Sequence, residues 1–290
     1  MGKNRHLHAA ACVVFCPELW QRTWLKLPAE AKASASDPLT KAILDVFDRF
    51  VPDRPGGRAL EIGGAPGRFL AHWARKEAWS AHSLDYSAVG CEKTRENFRL
   101  LGLPVTVHEM DLRGAWERLP AYEVVYSLGV IEHFEDLTLI LREHWRLVKP
   151  GGYLILGVPH FMHVFWPLLR RFAPRITAGH FRPSLKPSGW CYLDGAPQVQ
   201  RLFTGYWGGF EPTLMCSVLE DEWSWMESSA SPAALALFRS LRFWMRLRYY
   251  ARWLCPAINR LPRWNSSLWS SYAMGVYRKV GDSEDVSQAH

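Results

Sequence analysis

A glycine-rich turn directly after a strand-like segment is the feature that most constrains how this chain can fold. The segment spans residues 59–70, and its Leu60 and Ile62 are typical of the end of a buried strand. Three glycines make a turn with almost no side chains, namely Gly63, Gly64 and Gly67. Residues 68–79 then read as a helix. Such a turn lets a ligand approach the backbone, and the following helix offers unpaired N–H groups, so the pattern predicts a ligand site here.

Acidic residues follow the next two strand-like segments. Asp85 ends a predicted strand at residues 79–84 and lies 24 residues after Glu61. This is the spacing at which an acid meets ribose hydroxyls in nucleotide-binding folds. A third predicted strand, residues 104–109, precedes Asp111. A run of glycines alone is weak evidence, and the ordered acids are what make the signal specific.

Strand and helix patterns alternate from residue 38 to about residue 158, which predicts an α/β fold with a doubly wound, mostly parallel sheet. The first helix is expected over residues 38–50, because Asp37 followed by Pro38 is a good helix start. A fourth strand is predicted at residues 122–127. The segment Val-Lys-Pro-Gly-Gly at residues 148–152 then precedes a further hydrophobic strand.

Together these motifs resemble the class I S-adenosylmethionine (SAM)-dependent methyltransferases, in which Leu-Lys-Pro-Gly-Gly before a hydrophobic strand is typical. The resemblance covers residues 40–160 closely and residues 195–280 more loosely. It implies a Rossmann-like, seven-stranded sheet whose last strand is antiparallel, and residues 271–280 fit that strand. It also implies SAM as the cofactor and S-adenosyl-L-homocysteine as its product.

The same resemblance assigns roles around the turn. The turn from Glu61 to Gly67 would hold the methionine part of SAM, Asp85 the ribose hydroxyls, and Asp111 the adenine amino group. The cofactor residues implied in this way are Glu61, Gly63, Gly64, Ala65, Gly67, Asp85, Tyr86, Asp111, Leu112, Ser127 and Leu128. Ala65 departs from the family, which has glycine there. Its methyl group narrows the approach to the backbone unless its φ angle is negative.

Histidines near the predicted ends of strands are the candidate general bases, because an unperturbed histidine has a pKa near 6.5. The candidates are His133, His160 and His163, with His180 further along the same region. Glu132-His133 resembles the same pair in ubiquinone-biosynthesis O-methyltransferases, where an acid three residues before the glutamate helps hold a divalent metal. Gly129 occupies that place here, and no acid or cysteine at ligand spacing supports the histidines. We therefore predict no metal site.

The domain organisation is predicted from breaks in the pattern. Residues 1–37 read as an N-terminal extension or cap, residues 38–280 as the methyltransferase domain, and residues 281–290 as a disordered tail. A helix at residues 197–207 and a strand at residues 213–219 are expected to resume the core. Two additions complete the domain: a proline- and aromatic-rich, substrate-facing elaboration at residues 159–194, and a basic, Trp-rich helical insertion at residues 221–268, before the last strand.

Positive charge is concentrated near the C-terminus. Residues 228–281 contain nine Arg and Lys and no acid, so the net charge of +7 leaves −2 for the rest of the chain. Residues 233–264 suit an interfacial helix on an anionic membrane surface, which would make peripheral membrane contact. A lid or homodimer helix packed on the sheet, with its arginines in solvent, is slightly favoured over this membrane contact. Nucleic-acid binding is disfavoured, because no recognised motif accompanies the charge.

The cysteines and the N-terminal segment indicate the cellular compartment of the protein. The six cysteines are scattered and form no CxxC pair, which favours reduced thiols in a cytoplasmic protein. An eight-residue apolar run at residues 9–16 follows Lys3 and Arg5, as in a short signal peptide. Arg22 and Lys26 follow soon after, with no clean cleavage site, so we favour a cytoplasmic location.

The expected function is methyl transfer from SAM to a small or medium hydrophobic acceptor, with O-methylation as the first choice. The acceptor classes that fit are secondary metabolites, quinone-like molecules and lipid-linked molecules such as glycolipids. An N- or C-methyltransferase acting on an aromatic metabolite is one alternative, and it would need little base catalysis. A non-catalytic SAM-binding partner protein is another, favoured by Ala65 and disfavoured by Asp85 and Asp111. A nicotinamide-dependent oxidoreductase is disfavoured by residues 149–152 and by the late antiparallel strand.

Overall fold

The computed structural model of this chain is built around a seven-stranded sheet with helices on both faces. It describes residues 37–53, 55–161, 166–172, 174–195, 198–209 and 264–281. It also describes residues 24–25, 28 and 30–34, and scattered helical residues between 232 and 250.

The strands are β1 (Gly57–Ile62), β2 (Trp79–Asp85), β3 (Thr106–Glu109), β4 (Tyr122–Leu128), β5 (Val148–Pro159), β6 (Val199–Trp207) and β7 (Tyr272–Lys279). The helices are α1 (Pro38–Phe50), α2 (Leu70–Ala74), α3 (Ala88–Leu101), α4 (Leu137–Arg146), α5 (Trp166–Phe172), α6 (Pro174–Ala178) and α7 (Cys191–Asp194). Single 3₁₀ turns occupy Ala115–Glu117, Ile131–His133, Arg182–Leu185 and Pro187–Trp190.

The strand order is β3-β2-β1-β4-β5-β7-β6. Strands β1 to β5 pair in parallel, and β7 runs antiparallel to both β5 and β6. The chain reverses direction across the sheet between β1 and β4, which are neighbours. Ligands in open α/β sheets bind beyond the carboxyl ends of strands at such a switch point. The predicted Rossmann-like class I architecture, including the antiparallel last strand, is confirmed.

One face of the sheet is covered by α1, α2 and α3. The Phe47 ring of α1 lies 5.0 Å from the ring of Tyr126 on β4 and 5.4 Å from that of Trp73 on α2. α1 spans the predicted residues because its ends are set locally. Asp37 accepts a hydrogen bond from the Thr40 N–H at 2.9 Å, and Pro38 occupies the first turn.

The other face is covered by α4 and by part of the segment between β5 and β6. The Trp190 side chain is fully buried, and its indole N–H donates to the Ser184 carbonyl at 2.9 Å. A Cβ at Gly275 of β7 would lie 2.8 Å from the Trp190 ring. This part of the predicted 159–194 elaboration is therefore packed into the core under β7.

The Lys-Pro-Gly-Gly segment forms a bulge at the start of β5. Tyr122 pairs with Val148, whereas Val124 pairs with Tyr153, so the residues between Val148 and Tyr153 loop out of the ladder. A Cβ at Gly152 would lie 2.9–3.0 Å from three carbonyl oxygens, which explains the second glycine of the motif.

Two predicted elements differ from the structure. Residues 197–207 are not a helix, since Val199–Trp207 form β6 and pair along their length with β7. β6 lies at the edge of the sheet with nearly all its residues half-buried, so its sequence lacks the alternation of a one-sided strand. The helix expected at residues 68–79 is only Leu70–Ala74, because the chain turns through Ala78, at φ +55°, to enter β2.

Several predicted elements lie largely outside the described residues. These include most of the N-terminal cap, the strand at residues 213–219, the insertion at residues 221–268 apart from its scattered helical residues and residues 264–268, and the tail after residue 281. Within the part of the chain that is described, no helix is long and apolar enough to cross a membrane.

Candidate active site

A cleft opens at the carboxyl ends of β1, β2, β3 and β4. Its lining combines apolar side chains with two carboxylates, one histidine and two glycines. The lining residues are Trp24, Ile62, Gly63, Leu84, Asp85, Tyr86, Met110, Asp111, Leu112, Gly129, Val130, His133 and Phe134. The cleft therefore lies at the topological switch point.

The three glycine positions of the turn after β1 have no room for a side chain. Gly63 has φ +66°, and a Cβ there would lie 2.8 Å from the Val130 side chain. A Cβ at Gly64 would lie 2.1 Å from the carboxyl carbon of Glu61, which is buried beneath the turn. Gly67 has φ +80°, and a Cβ there would lie 2.9 Å from the Phe98 ring.

Ala65 is compatible with this turn. Among the described residues other than glycine, only Ala78 and Gln198 have a positive φ, so the Ala65 methyl group does not strain the backbone. Its side chain is buried. The condition under which we expected alanine to be tolerated at this position is met.

Glu61 places an acid directly under the turn. Burial raises the pKa of its carboxyl to about 8, opposed by the Arg68 charge and by the Leu70 backbone N–H. Its Oε2 atom has no hydrogen-bond partner in the described part of the chain. A buried carboxyl group in this position favours a cationic ligand group at the turn.

Asp85 offers one oxygen to the cleft. Its side chain is 3% exposed, and its Oδ1 accepts a hydrogen bond from the Ser87 N–H at 2.8 Å. Its Oδ2 accepts no hydrogen bond from any residue that the structure describes. Burial raises the pKa of the Asp85 carboxyl to about 6, opposed by the backbone N–H groups of Ser87 and Tyr86. Oδ2 is thus available to accept a hydrogen bond from a ligand hydroxyl.

Asp111 is held by a neighbouring arginine. The Arg113 Nε donates to both Asp111 oxygens, at 2.9 and 3.1 Å, and the Arg113 backbone N–H donates to Oδ1 at 2.8 Å. These hydrogen bonds with Arg113 hold the pKa of the Asp111 carboxyl below its usual range. Met110 and Leu112, on either side of Asp111, give the cleft an apolar surface next to this fixed anion.

These features fit SAM. An unpartnered carboxylate oxygen suits the ribose, a turn that excludes side chains suits close backbone approach, and an apolar surface beside Asp111 suits the adenine. Of the predicted cofactor residues, five line the cleft: Gly63, Asp85, Tyr86, Asp111 and Leu112. The remaining six are not among its lining residues: Glu61, Gly64, Ala65, Gly67, Ser127 and Leu128. The Ser127 hydroxyl lies 3.0 Å from Nε2 of His144 on α4.

The predicted histidines separate into two places. His133 lines the cleft, its ring lies 4.8 Å from that of His180, and its Nδ1 lies 3.1 Å from the Gly179 carbonyl. Burial, together with nearby His180, lowers the pKa of His133 to about 3. His160 does not line the cleft; its Nδ1 lies 3.0 Å from the Ser270 carbonyl and its ring 4.4 Å from Tyr206. His163 lies outside the described residues.

Glu132 was not predicted as a site residue. It is 1% exposed, and burial raises the pKa of its carboxyl to about 8. The candidate ligand atoms of Glu132, His133 and His180 all lie within 4.8 Å of one another. The expectation that no acid lies at ligand distance from the histidines is therefore wrong. That expectation relied on spacing along the sequence. Such spacing does not show that residues 179–181 fold back against Glu132.

Other lining residues also escaped the sequence analysis. Trp24 belongs to the predicted N-terminal extension or cap, residues 1–37, to which the sequence assigns no role in the site. It lies close to Asp85, because a Cβ at Gly90 would be 2.9 Å from the Asp85 Oδ2 and 3.0 Å from the Trp24 ring. Val130 and Phe134 follow the end of β4, close to Gly129. Their position just after a predicted strand is the sequence signal that could have identified them as lining residues.

Comparison with curated proteins finds methyltransferases with different acceptors. The chain is 33% identical over 141 residues to the dimethylglycine N-methyltransferase of Parasynechococcus marenigrum (strain WH8102), covering 46% of this chain and 47% of that protein. It is 31% identical over 108 residues to the ubiquinone biosynthesis O-methyltransferase of Sodalis glossinidius (strain morsitans), covering 36% and 43%. The chain thus spans about half the length of the curated relatives it matches.

Solved structures share the fold at low sequence identity. A SAM-dependent methyltransferase from Geobacter sulfurreducens in complex with S-adenosyl-L-homocysteine has a TM-score of 0.53 at 16% identity, covering 91% of this chain and 99% of that one. A putative sarcosine dimethylglycine methyltransferase from Galdieria sulphuraria has a TM-score of 0.52 at 16% identity, covering 91% and 98%.

The family comparison covers most of the folded core. The family described as "Methyltransferase domain" matches residues 37–229, about two thirds of the chain, including the glycine turn, both cleft carboxylates and the Glu132-His133 pair. This chain therefore belongs to the methyltransferase-domain family, as a class I domain of the SAM-dependent kind.

Proposed function

We propose that this protein transfers the methyl group of SAM to a hydroxyl group of a small or medium hydrophobic acceptor. The observation that carries the proposal is the cluster of Glu132, His133 and His180 beside the cofactor cleft. SAM supplies an already activated methyl group, so the protein must mainly align the acceptor and exclude water. A hydroxyl acceptor must also lose its proton, and a carboxylate with two imidazoles provides lone pairs for that step.

The chemistry of the cleft supports a hydrophobic acceptor. Val130 and Phe134 flank the turn that carries His133, and Met110 and Leu112 continue the apolar surface. Within the described part of the chain, the lining includes no Lys or Arg. A small zwitterionic acceptor such as an amino acid would leave its carboxylate without a counter-charge, whereas a ring or alkyl chain would bury apolar area.

Different residues of the cleft would hold different parts of SAM. Asp85 and Asp111 would hold the two ends of the adenosine, the turn above Glu61 would hold the methionine part, and Trp24 would close the cleft over the ribose. This arrangement would place the sulfonium methyl group towards Gly129 and His133. A water-excluded alignment of methyl carbon and acceptor oxygen is then the main source of rate acceleration.

An acceptor panel tests the proposal. The protein is incubated with SAM and with phenols, catechols, aliphatic alcohols, aromatic amines, sarcosine and dimethylglycine, and S-adenosyl-L-homocysteine release is measured. We expect turnover above background with hydrophobic hydroxyl acceptors only.

Variants of the cluster test its role. Glu132→Gln and His180→Gln should each lower kcat about 100-fold, within the usual range for general acid–base groups. The matched control His82→Gln changes an imidazole outside the cleft, and its kcat should be unchanged. Turnover restricted to the amines would refute the proposal.

N-methylation is the second candidate. The relative from Parasynechococcus marenigrum is named as a dimethylglycine N-methyltransferase, which is the observation that favours it. An amine that is neutral at working pH needs no base. Turnover with amines that survives both Glu132→Gln and His180→Gln would therefore select this candidate.

A lipid-linked acceptor would call for peripheral membrane contact, which we propose for residues 233–264 of an otherwise cytoplasmic enzyme. Five described side chains of this segment are large, apolar and 47–74% exposed: Phe243, Trp244, Leu247, Tyr250 and Trp264. Arginines interleave with them in the sequence. In sedimentation with anionic vesicles at low salt, Arg239, Arg242 and Arg246 changed together to Ala should reduce binding. The same loss of charge at Arg95, Arg99 and Arg118 should not. Equal binding of both triple variants would rule out this contact.

A further inference from the structure

We propose that Glu132, His133 and His180 bind one divalent transition-metal ion beside the cofactor cleft. The three residues come from two separate segments, the 3₁₀ turn after β4 and the chain that follows α6. Their candidate ligand atoms all lie within 4.8 Å of one another. Ligands of Zn²⁺ lie about 2.0–2.2 Å from the ion, so three ligands of one ion lie roughly 3–3.5 Å apart. Side-chain adjustments of about 1 Å would therefore complete the site.

The carboxylate of Glu132 is the second and independent observation. Its side chain is 1% exposed, and neither carboxylate oxygen accepts a hydrogen bond from another described residue. Buried carboxylates are normally paired, hydrogen-bonded or bound to a metal, because desolvation of an unpaired charge is unfavourable. Gly129 leaves open space on one side, since a Cβ there would still be 3.5 Å from Oε1. A cation at this point would supply the partner that the described residues do not.

Backbone hydrogen bonds hold the two segments in position. The Phe181 N–H donates to the Glu132 carbonyl at 2.6 Å. Nδ1 of His133 lies 3.1 Å from the Gly179 carbonyl. A carbonyl oxygen can only accept, so the hydrogen of the neutral ring sits on Nδ1 and Nε2 carries the lone pair. This arrangement, in which a backbone carbonyl fixes the tautomer of a histidine, is the one that metal-binding histidines commonly show.

The donor set indicates the class of ion. Two imidazoles with one carboxylate suit Zn²⁺, Co²⁺, Mn²⁺ or Fe²⁺, whereas Mg²⁺ and Ca²⁺ prefer oxygen donors. Three protein ligands leave positions open for water or an acceptor, as in catalytic rather than structural sites. His133 lines the cleft, so an open position would face the place where the acceptor is expected.

The role of the ion, but not its binding, rests on the proposed function. An acceptor hydroxyl bound to the ion has a lowered pKa and loses its proton to water or buffer. The resulting oxygen forms a bond to the methyl carbon while the carbon–sulfur bond breaks. The sulfur keeps that electron pair and leaves as the neutral thioether. Overall, one proton is released for each methyl group transferred.

The test measures metal binding directly. Protein treated with a chelator and then freed of it is titrated with Zn²⁺ and Co²⁺ by calorimetry, with Mg²⁺ as the control ion. The visible absorption of the Co²⁺ form is recorded. We expect one ion per chain, absorption bands typical of nitrogen and oxygen ligation, and at least 100-fold weaker binding of Mg²⁺.

Variants locate the ion. Glu132→Gln and His180→Gln should each weaken Co²⁺ binding at least tenfold and change its spectrum. Binding of S-adenosyl-L-homocysteine should be retained in both, which shows that they fold. The double control His82→Gln, His108→Gln removes another close pair of imidazoles, 3.3 Å apart, and should leave Co²⁺ binding unchanged. The absence of stoichiometric binding, or binding that both cluster variants retain, would overturn the proposal.

Activity separates the two proposals. A bound ion without turnover on any hydroxyl acceptor would uphold the site and reject O-methylation. Undiminished O-methylation after complete metal removal would uphold the function and reject the role of the ion.

Discussion

At Asp85, one carboxylate oxygen accepts a hydrogen bond from the Ser87 N–H, and the other has no partner among the described residues. Burial raises the pKa of this carboxyl to about 6, so it is ionised at neutral pH but close to titration. A ribose hydroxyl that donates to Oδ2 would favour the ionised form. The cofactor and a proton therefore compete for the same atom.

This competition gives a pH prediction. Affinity for S-adenosyl-L-homocysteine should fall as pH is lowered through about 6, approaching tenfold for each further pH unit, because only ionised Asp85 accepts both hydrogen bonds. The measurement is calorimetry between pH 5 and pH 8. Glu61, with a pKa raised to about 8, provides a separate step at higher pH. The Asp85→Asn variant should lose the dependence near pH 6. An unchanged dependence in that variant would assign it to another group.

Gly64 illustrates a position where a single methyl group matters. A Cβ there would overlap the Glu61 carboxyl at 2.1 Å, so Gly64→Ala must displace Glu61 or reshape the turn. We expect a loss of about 1–3 kcal/mol in the free energy of unfolding, and at least tenfold weaker SAM binding. Urea unfolding and calorimetry measure the two effects. Gly195→Ala is the control, since its nearest atom lies 4.0 Å away. Equal behaviour of both variants would mean that the turn tolerates a side chain.

Single residues of this site were predictable to different degrees. Asp85 and Asp111 follow from their spacing after successive strands, because parallel strands bring such positions to one edge. Glu132 and His180 do not follow from spacing, because their proximity depends on residues 179–181 folding back onto the turn after β4. Burial, which raises the pKa values of Glu61 and Glu132, is likewise a property of the packed structure.

Helix α3 connects the cleft to the N-terminal segment through one buried side chain. The Asn97 Oδ1 accepts a hydrogen bond from the Ala31 N–H at 2.8 Å. Its Nδ2 donates to the carbonyls of Ala31, at 3.1 Å, and Pro66, at 2.8 Å. One residue thus fixes the glycine turn and the segment that precedes α1.

Removing this connection should destabilise the domain. Asn97→Ala leaves three backbone groups without their partner, so we expect a loss of about 2–4 kcal/mol in the free energy of unfolding. Denaturant unfolding monitored by tryptophan fluorescence measures it. Glu92→Gln, on the exposed side of the same helix, is the control and should change stability by less than about 0.5 kcal/mol. A loss below 1 kcal/mol for Asn97→Ala would show that water replaces these bonds.

Elements with local signals were predicted well. α1 begins at Pro38 because Asp37 caps it, and the β5 bulge follows from two consecutive glycines, one of which lies against three carbonyl oxygens. β6 was predicted as a helix because the strand that pairs with it, β7, begins more than 60 residues later in the chain. Pairing between segments so distant leaves little trace in the sequence of either one.

At the scale of the whole molecule, the strand order brings the site together. β1 pairs with both β2 and β4, so Gly63, Asp85 and Gly129 meet at one edge although they are spread over more than 60 residues of sequence. The segment between β5 and β6 contributes both to the core and to the candidate site. Its Trp190 packs into the core, while His180 reaches the turn that carries His133.

Binding of the cofactor to this edge is the property on which the rest depends. Calorimetry of SAM and S-adenosyl-L-homocysteine should give one molecule bound per chain with a dissociation constant of roughly 1 μM, about −8 kcal/mol. Asp85→Ala should weaken both by about 10- to 100-fold, because it removes a charge-assisted hydrogen bond from a buried site. Asp45→Ala, which removes an exposed carboxylate of α1 that pairs with Lys41, should leave both unchanged. Absence of binding to the wild-type chain, or equal affinity in the Asp85→Ala variant, would contradict a SAM site at the switch point of this sheet.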